Sequence, residues 1–74
     1  MPHIIIKLMR GRSEQQKQEL ADAITRDVMT YANAGEDSVS VAIEDIAPGD
    51  WAKQVFEPDI AAKPHSIYKK PGYV

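Results

Sequence analysis

The sequence predicts an α/β fold: a βαβ unit of two parallel strands and one long helix, followed by short C-terminal helices, with the sheet completed by oligomerisation. Three observations predict it. Ile4, Ile5, Ile6 and Leu8 form an almost unbroken apolar run, which suits a strand covered on both faces. From Glu14 to Ala32, Leu20, Ile24, Val28 and Tyr31 recur at spacings of four, four and three, the period of one helix face. In the stretch SVSVAI, Val39, Val41 and Ile43 alternate with Ser38, Ser40 and Ala42, the period of a strand with small residues on one face. A strand, helix and strand within about 40 residues form a right-handed crossover, which makes the two strands parallel.

Each element has its own start and stop signals. The first strand follows Met1-Pro2 and ends at Arg10-Gly11-Arg12, where glycine permits a turn. Ser13-Glu14-Gln15-Gln16 is a capping box, the serine hydroxyl accepting from the third helical N–H while the glutamine reaches back. Ala21, Ala23 and Ala32 widen the apolar stripe of the helix, and Asn33-Ala34-Gly35 supplies residues that readily take the left-handed conformation at its end. After Ile46 the pattern changes. APGD reads as a turn, Asp50 is placed to cap a short helix over WAKQVF, and Pro58 is expected to close that helix. Asp59 to Lys63 suits a further turn, Pro64 interrupts it, and HSIYKK leads into a final PGYV turn.

Size and composition narrow the function. Seventy-four residues make one domain, residues 1–74, with a core that rarely supplies more than about 3 to 5 kcal/mol. The chain has no cysteine, and His3 and His65 stand far apart, so disulfides and a thiolate cluster are excluded and no structural metal is expected. Oligomerisation is the remaining staple, because two parallel strands and one helix do not make a stable sheet alone. The net charge of −2 argues against a nucleic-acid partner, and Lys69-Lys70 reads as a solvated turn. No apolar run approaches the roughly 20 residues of a membrane helix, and MPHIIIKLM lacks the build of a secretory signal. A cytoplasmic location is expected.

The residue with chemistry to offer is Pro2. As a strand starter it needs no explanation, since proline is tolerated at the first position of a strand. If Met1 is removed, however, Pro2 becomes a free secondary amine. A model α-amino group titrates at about 7.7 to 8.0, and desolvation or a neighbouring cation lowers that value by disfavouring the charged form. Arg10 or Arg12 can supply the cation. The sequence shows no phosphate loop, no nucleophile elbow and no paired metal ligands.

Met-Pro, H-I-x-I-K, G-R-S-x-x-Q-K at the helix start, S-V-x-V-x-I in the second strand, Trp51 eight residues later and the tail K-K-P-G-Y together resemble the 4-oxalocrotonate tautomerase family, and more narrowly its PptA-like branch. The resemblance spans essentially the whole chain. It implies a cofactor-free enol–keto tautomerase in which Pro2 carries the proton, Arg12 holds a substrate carboxylate and Trp51 forms an aromatic wall. At Ser40 the sequence departs from the family, whose oxalocrotonate enzymes have a second arginine there. One carboxylate anchor is thereby lost, which favours a monocarboxylate such as phenylenolpyruvate over a dicarboxylate. Ser40 is left as a candidate hydrogen-bond donor, and the PptA-like features favour a homodimer over a hexamer.

Each of these residues has a structural alternative. Trp51 suits a core or an interface equally well, Arg12 suits an exposed turn with Arg10 as anchor, and Phe56, Tyr68 and Tyr73 read as packing residues. His3, one residue along the strand, is expected to point away from the face of Pro2, and His65 to lie on the surface. Hydration or dehalogenation of a small unsaturated acid by the same proline, or a non-catalytic assembly module, are the alternative functions.

Overall fold

The computed structural model describes residues 1–73; Val74, the last residue of the expected PGYV turn, lies outside the described residues. Strand β1 runs His3–Met9, helix α1 Glu14–Tyr31 and strand β2 Ser40–Ile46, and a second helix, α2, runs Ala52–Ala61. Short 3₁₀ turns at Glu36–Ser38, Pro48–Asp50 and Pro64–Ser66 join them. β1 and β2 are parallel, with His3 beside Ser40 and Met9 beside Ile46. The pairing is extended at both ends, where the Ser40 N–H donates to the Pro2 carbonyl (3.2 Å) and the Arg10 N–H to the Ile46 carbonyl (3.1 Å).

The start of α1 follows the capping box. The Gln16 N–H donates to Ser13 Oγ at 3.1 Å and the Ser13 N–H to Gln16 Oε1 at 2.8 Å. Before it, Gly11 takes φ +131° and lets the chain leave the strand sharply; after the helix, Asn33 sits at φ +54°, in the left-handed region that asparagine tolerates. Lys17 then ties α1 to the sheet, donating to Asp45 at 2.8 Å while also pairing with Glu14 at 2.8 Å. These carboxylates stabilise the ammonium and raise the Lys17 pKa, the Asp45 hydrogen bond being the larger cause.

That ion pair identifies the two faces of the sheet. Side chains alternate along a strand, so Ile4, Ile6 and Leu8 share the α1 side with Val41, Ile43 and Asp45. His3, Ile5, Lys7 and Met9 share the opposite face with Ser40, Ala42, Glu44 and Ile46. α2 covers part of that second face, where Val55 and Ile46 are the two buried apolar residues among the described residues. Lys7 reaches Asp59 of α2 in an ion pair. The hydrogen bond raises the Lys7 pKa and lowers that of Asp59.

Four local expectations are corrected. Pro58 does not close the helix: α2 continues to Ala61 with π winding, and the Ala62 N–H reaches back five residues to the Glu57 carbonyl at 3.0 Å. The wider turn moves the i−4 carbonyl away from the ring that would clash with it in an α-helix. Asp50 makes no cap, because it is taken into the 3₁₀ turn before Trp51. β2 begins at Ser40, since Glu36–Ser38 forms a 3₁₀ turn. Tyr31 lies beyond the sheet at the end of α1 and is 87% exposed.

The chain is open for its size. Its radius of gyration is 13.6 Å, against about 11 Å for a compact domain of this length. Its accessible surface is 5766 Å², against about 4,500 Å² for a folded monomer of this mass. Both strands of the two-stranded sheet keep one unpaired edge, and Ile5 on the second face is 53% exposed.

Candidate active site

The two ends of β1 carry different parts of the predicted chemistry. At the first end Pro2 is partly buried and held by its carbonyl, which accepts from the Ser40 N–H. The register places His3 opposite Ser40, and His3 Nδ1 lies 2.7 Å from Ser40 Oγ. Ser40 is therefore beside Pro2 along the ladder, but its hydroxyl, offered by the sequence as a candidate donor, is engaged with His3. Met1 is fully exposed. While it is attached, the nitrogen of Pro2 is a tertiary amide with neither proton nor basicity.

At the other end the chain turns through Gly11, and Arg12 donates from Nη1 to the Met9 carbonyl at 2.8 Å. This bond fixes the guanidinium at the mouth of a cavity of about 530 Å³ lined by Lys7, Leu8, Met9, Arg12, Trp51 and Tyr73. Trp51 and Lys7 also wall an adjoining cavity of about 450 Å³ with Ile5, Val55, Asp59, Ile60 and Lys63. A flat indole, a guanidinium with free N–H groups and a mainly aliphatic floor are what a planar monocarboxylate needs: contact area for its body and a bidentate partner for its charge. Arg10 does not line the Arg12 cavity.

The structure thus brings Arg12 and Trp51 together, and Pro2 and Ser40 together, but it does not bring the two pairs to one place within the chain. Six strand rises separate His3 from Met9, about 20 Å. β2 is parallel, so Trp51, five residues after its end, lies at the Arg12 end. Tyr73 is the cavity residue that the sequence reading assigned to packing. It also packs: its ring lies 5.9 Å from Phe56 at 52°, and its oxygen accepts from the Trp51 indole N–H at 3.1 Å. Its place in the K-K-P-G-Y tail was the available signal. Tyr68, by contrast, is fully exposed.

A family model described as "Tautomerase enzyme" matches residues 2–55, from the proline through β1, α1, β2 and Trp51 to Val55. The chain belongs to the tautomerase family. It is therefore an enzyme of the isomerase class, and the fold and family read from its motifs stand. A protein of Xylella fastidiosa (strain 9a5c) named "Probable tautomerase" is 45% identical over 73 residues, covering 99% of this chain and 89% of the relative. Tautomerase PptA of Cronobacter sakazakii is 38% identical over 74 residues, covering 99% and 97%. Among solved structures, one of the 4-oxalocrotonate tautomerase isozymes from Methylibium petroleiphilum superposes with a TM-score of 0.65 at 32% identity, over 68% of this chain and 81% of that one. TomN, a 4-oxalocrotonate tautomerase homologue of the tomaymycin biosynthetic pathway, gives 0.65 at 30%, over 68% and 77%.

Proposed function

We propose that this tautomerase ketonises a monocarboxylate 2-hydroxy-enoate of the phenylenolpyruvate type, in a site assembled from two copies of the chain. The observation that carries the proposal is the separation of Pro2 from the Arg12–Trp51 cavity along β1. Isologous pairing through the open edge of β1, about a two-fold axis normal to the sheet, sets the two β1 strands antiparallel and keeps each face on its own side. Pro2 of one copy then lies beside the Met9–Arg12 turn of the other. The Pro2 nitrogen is a backbone atom at the end of the strand, so it lies in the plane of the sheet rather than on either face. The excess surface, on the order of 1,000 Å² over a compact monomer, matches the roughly 800 Å² per partner of a standard interface.

With Met1 removed, the neutral Pro2 nitrogen accepts the enol hydroxyl proton. The resulting ammonium delivers a proton to the substrate carbon, returning the base to its starting state. Arg12 of the partner subunit holds the carboxylate and stabilises the negative charge that develops as the hydroxyl ionises, and Trp51 of the partner subunit supports the aryl group. Ser40, whose N–H donates to the Pro2 carbonyl, has its hydroxyl turned toward His3. The lack of a second cation at that position favours one carboxylate over two.

The test is complementation. Pro2→Ala and Arg12→Ala proteins, each poorly active in phenylenolpyruvate ketonisation, are unfolded together and refolded. In a shared two-fold site, random pairing restores about a quarter of wild-type activity, because half of the dimers are mixed and each mixed dimer has one intact site. A mixture no more active than its parents rules out the shared site. An intact mass first establishes that Met1 is absent from the chains used.

A further inference from the structure

We propose that Tyr73 is a specificity-determining residue of the Arg12–Trp51 cavity, its hydroxyl selecting ligands that carry a hydrogen-bond acceptor at the end remote from the carboxylate. The inference rests on the reading of Arg12 as carboxylate anchor, but not on Pro2 as base. An indole N–H can only donate, so in the 3.1 Å contact the Tyr73 oxygen is the acceptor. Its own O–H proton is therefore not used in that bond. Among the described residues, Trp51 is the hydrogen-bond partner of this hydroxyl. Accepting from the indole also polarises the phenol and strengthens it as a donor.

The tail that carries Tyr73 is held where this proton matters. Its ring packs on Phe56, and the side chain is 61% exposed although it lines the same cavity as Arg12 and Trp51. A ligand in that cavity meets a cation at Arg12, a flat wall at Trp51 and an O–H donor at Tyr73. The cavity volume of about 530 Å³ falls in the usual small-molecule range of roughly 300–1,000 Å³. The chemical class that uses all three groups is an aryl monocarboxylate with a hydroxyl or ether oxygen on the far side of its ring.

Trp51 is the sole tryptophan, so one indole N–H resonance reports both the Tyr73 contact and cavity occupancy. Wild-type and Tyr73→Phe proteins are titrated with phenylacetate and with 4-hydroxyphenylacetate, and the ratio of their dissociation constants is read from that resonance. We expect the wild type to bind the hydroxylated acid about five-fold more tightly, and Tyr73→Phe to bring the ratio to about one. A wild-type ratio near one, a ratio unchanged in Tyr73→Phe, or no binding of either acid to the wild type overturns the proposal. Loss of both affinities at constant ratio also overturns it, because that is the signature of a packing role. Absence of ketonisation with the ratio behaving as expected refutes the proline mechanism and leaves Tyr73 in place.

Discussion

The two ends of β1 are built by different means. At the Pro2 end the geometry comes from the strand ladder itself: one backbone hydrogen bond from Ser40 and one cross-strand pair, His3 with Ser40, position everything. At the Arg12 end the geometry comes from packing. Segments far apart in sequence, the Gly11 turn, Trp51 and the tail at Tyr73, converge on one cavity. An end held by regular pairing presents a backbone terminus, suited to an N-terminal amine. An end assembled from side chains presents shape, suited to recognition. The proposed division of labour, base at one end and specificity at the other, follows the division of structure.

This comparison can be broken most strongly at Pro2. Pro2→Ala should lower kcat for phenylenolpyruvate ketonisation by about 10²-fold or more, the scale of a lost general base. Its melting curve should stay close to wild type, since Pro2 donates no hydrogen bond. An unchanged rate would remove the chemistry from that end. Arg12→Ala comes next: loss of a desolvated carboxylate pair costs about 2 kcal/mol, roughly thirty-fold in kcat/KM. A measured loss under two-fold would leave the cavity without its anchor.

Val55→Ala sharpens the contrast in stability. Removing two buried methyl groups beneath α2 should cost about 2 kcal/mol in urea unfolding. It should broaden the Trp51 indole resonance while leaving the amide resonances of His3 and Ser40 in place. Equal disturbance at both ends would show that they are not independently built.

The smallest effect concerns the Lys7–Asp59 pair. Asp59 is lowered from its ordinary value of 3.8 by the Lys7 hydrogen bond, so its contribution to stability is present above that value and is lost as pH falls through the lower folded-state pKa. Lys7 is raised from 10.5, so its contribution is present below 10.5 and disappears as pH rises through the higher folded-state value. Between these limits the pair is insensitive to pH. The Tm difference between wild type and Asp59→Asn should accordingly be small at pH 7 and shrink further toward pH 3. A difference that grows on acidification contradicts the pairing.

Much of the first end could be read from the chain. β1 was legible in the run Ile4 to Leu8, α1 in the Ser13–Gln16 capping box and the Leu20, Ile24, Val28 stripe, and its end in Asn33. β2 was legible in its alternation, apart from its first residues. Each of these signals is local, and local signals survive without knowledge of the partner surface. The second end was less legible. Pro58 looked like a stop because its clash is defined for α winding, whereas α2 is wound more widely. Tyr73 looked like packing because a Pro-Gly-Tyr turn does not by itself show that its ring will fold back 22 residues onto Trp51.

The sequence by itself determined the element order, the parallel pairing, the identity of the candidate base and the family, because periodicity, capping and motif are properties of neighbouring residues. Only the tertiary structure decided that Arg12 and Trp51 share a cavity with Tyr73 and that this cavity lies about 20 Å of strand away from Pro2. The reason is physical. A strand rises about 3.3 Å per residue whatever side chains it bears, so residues only ten apart in sequence stand at opposite ends of the sheet, while the packing of α2 and the tail brings Arg12 and Tyr73 to the walls of one cavity.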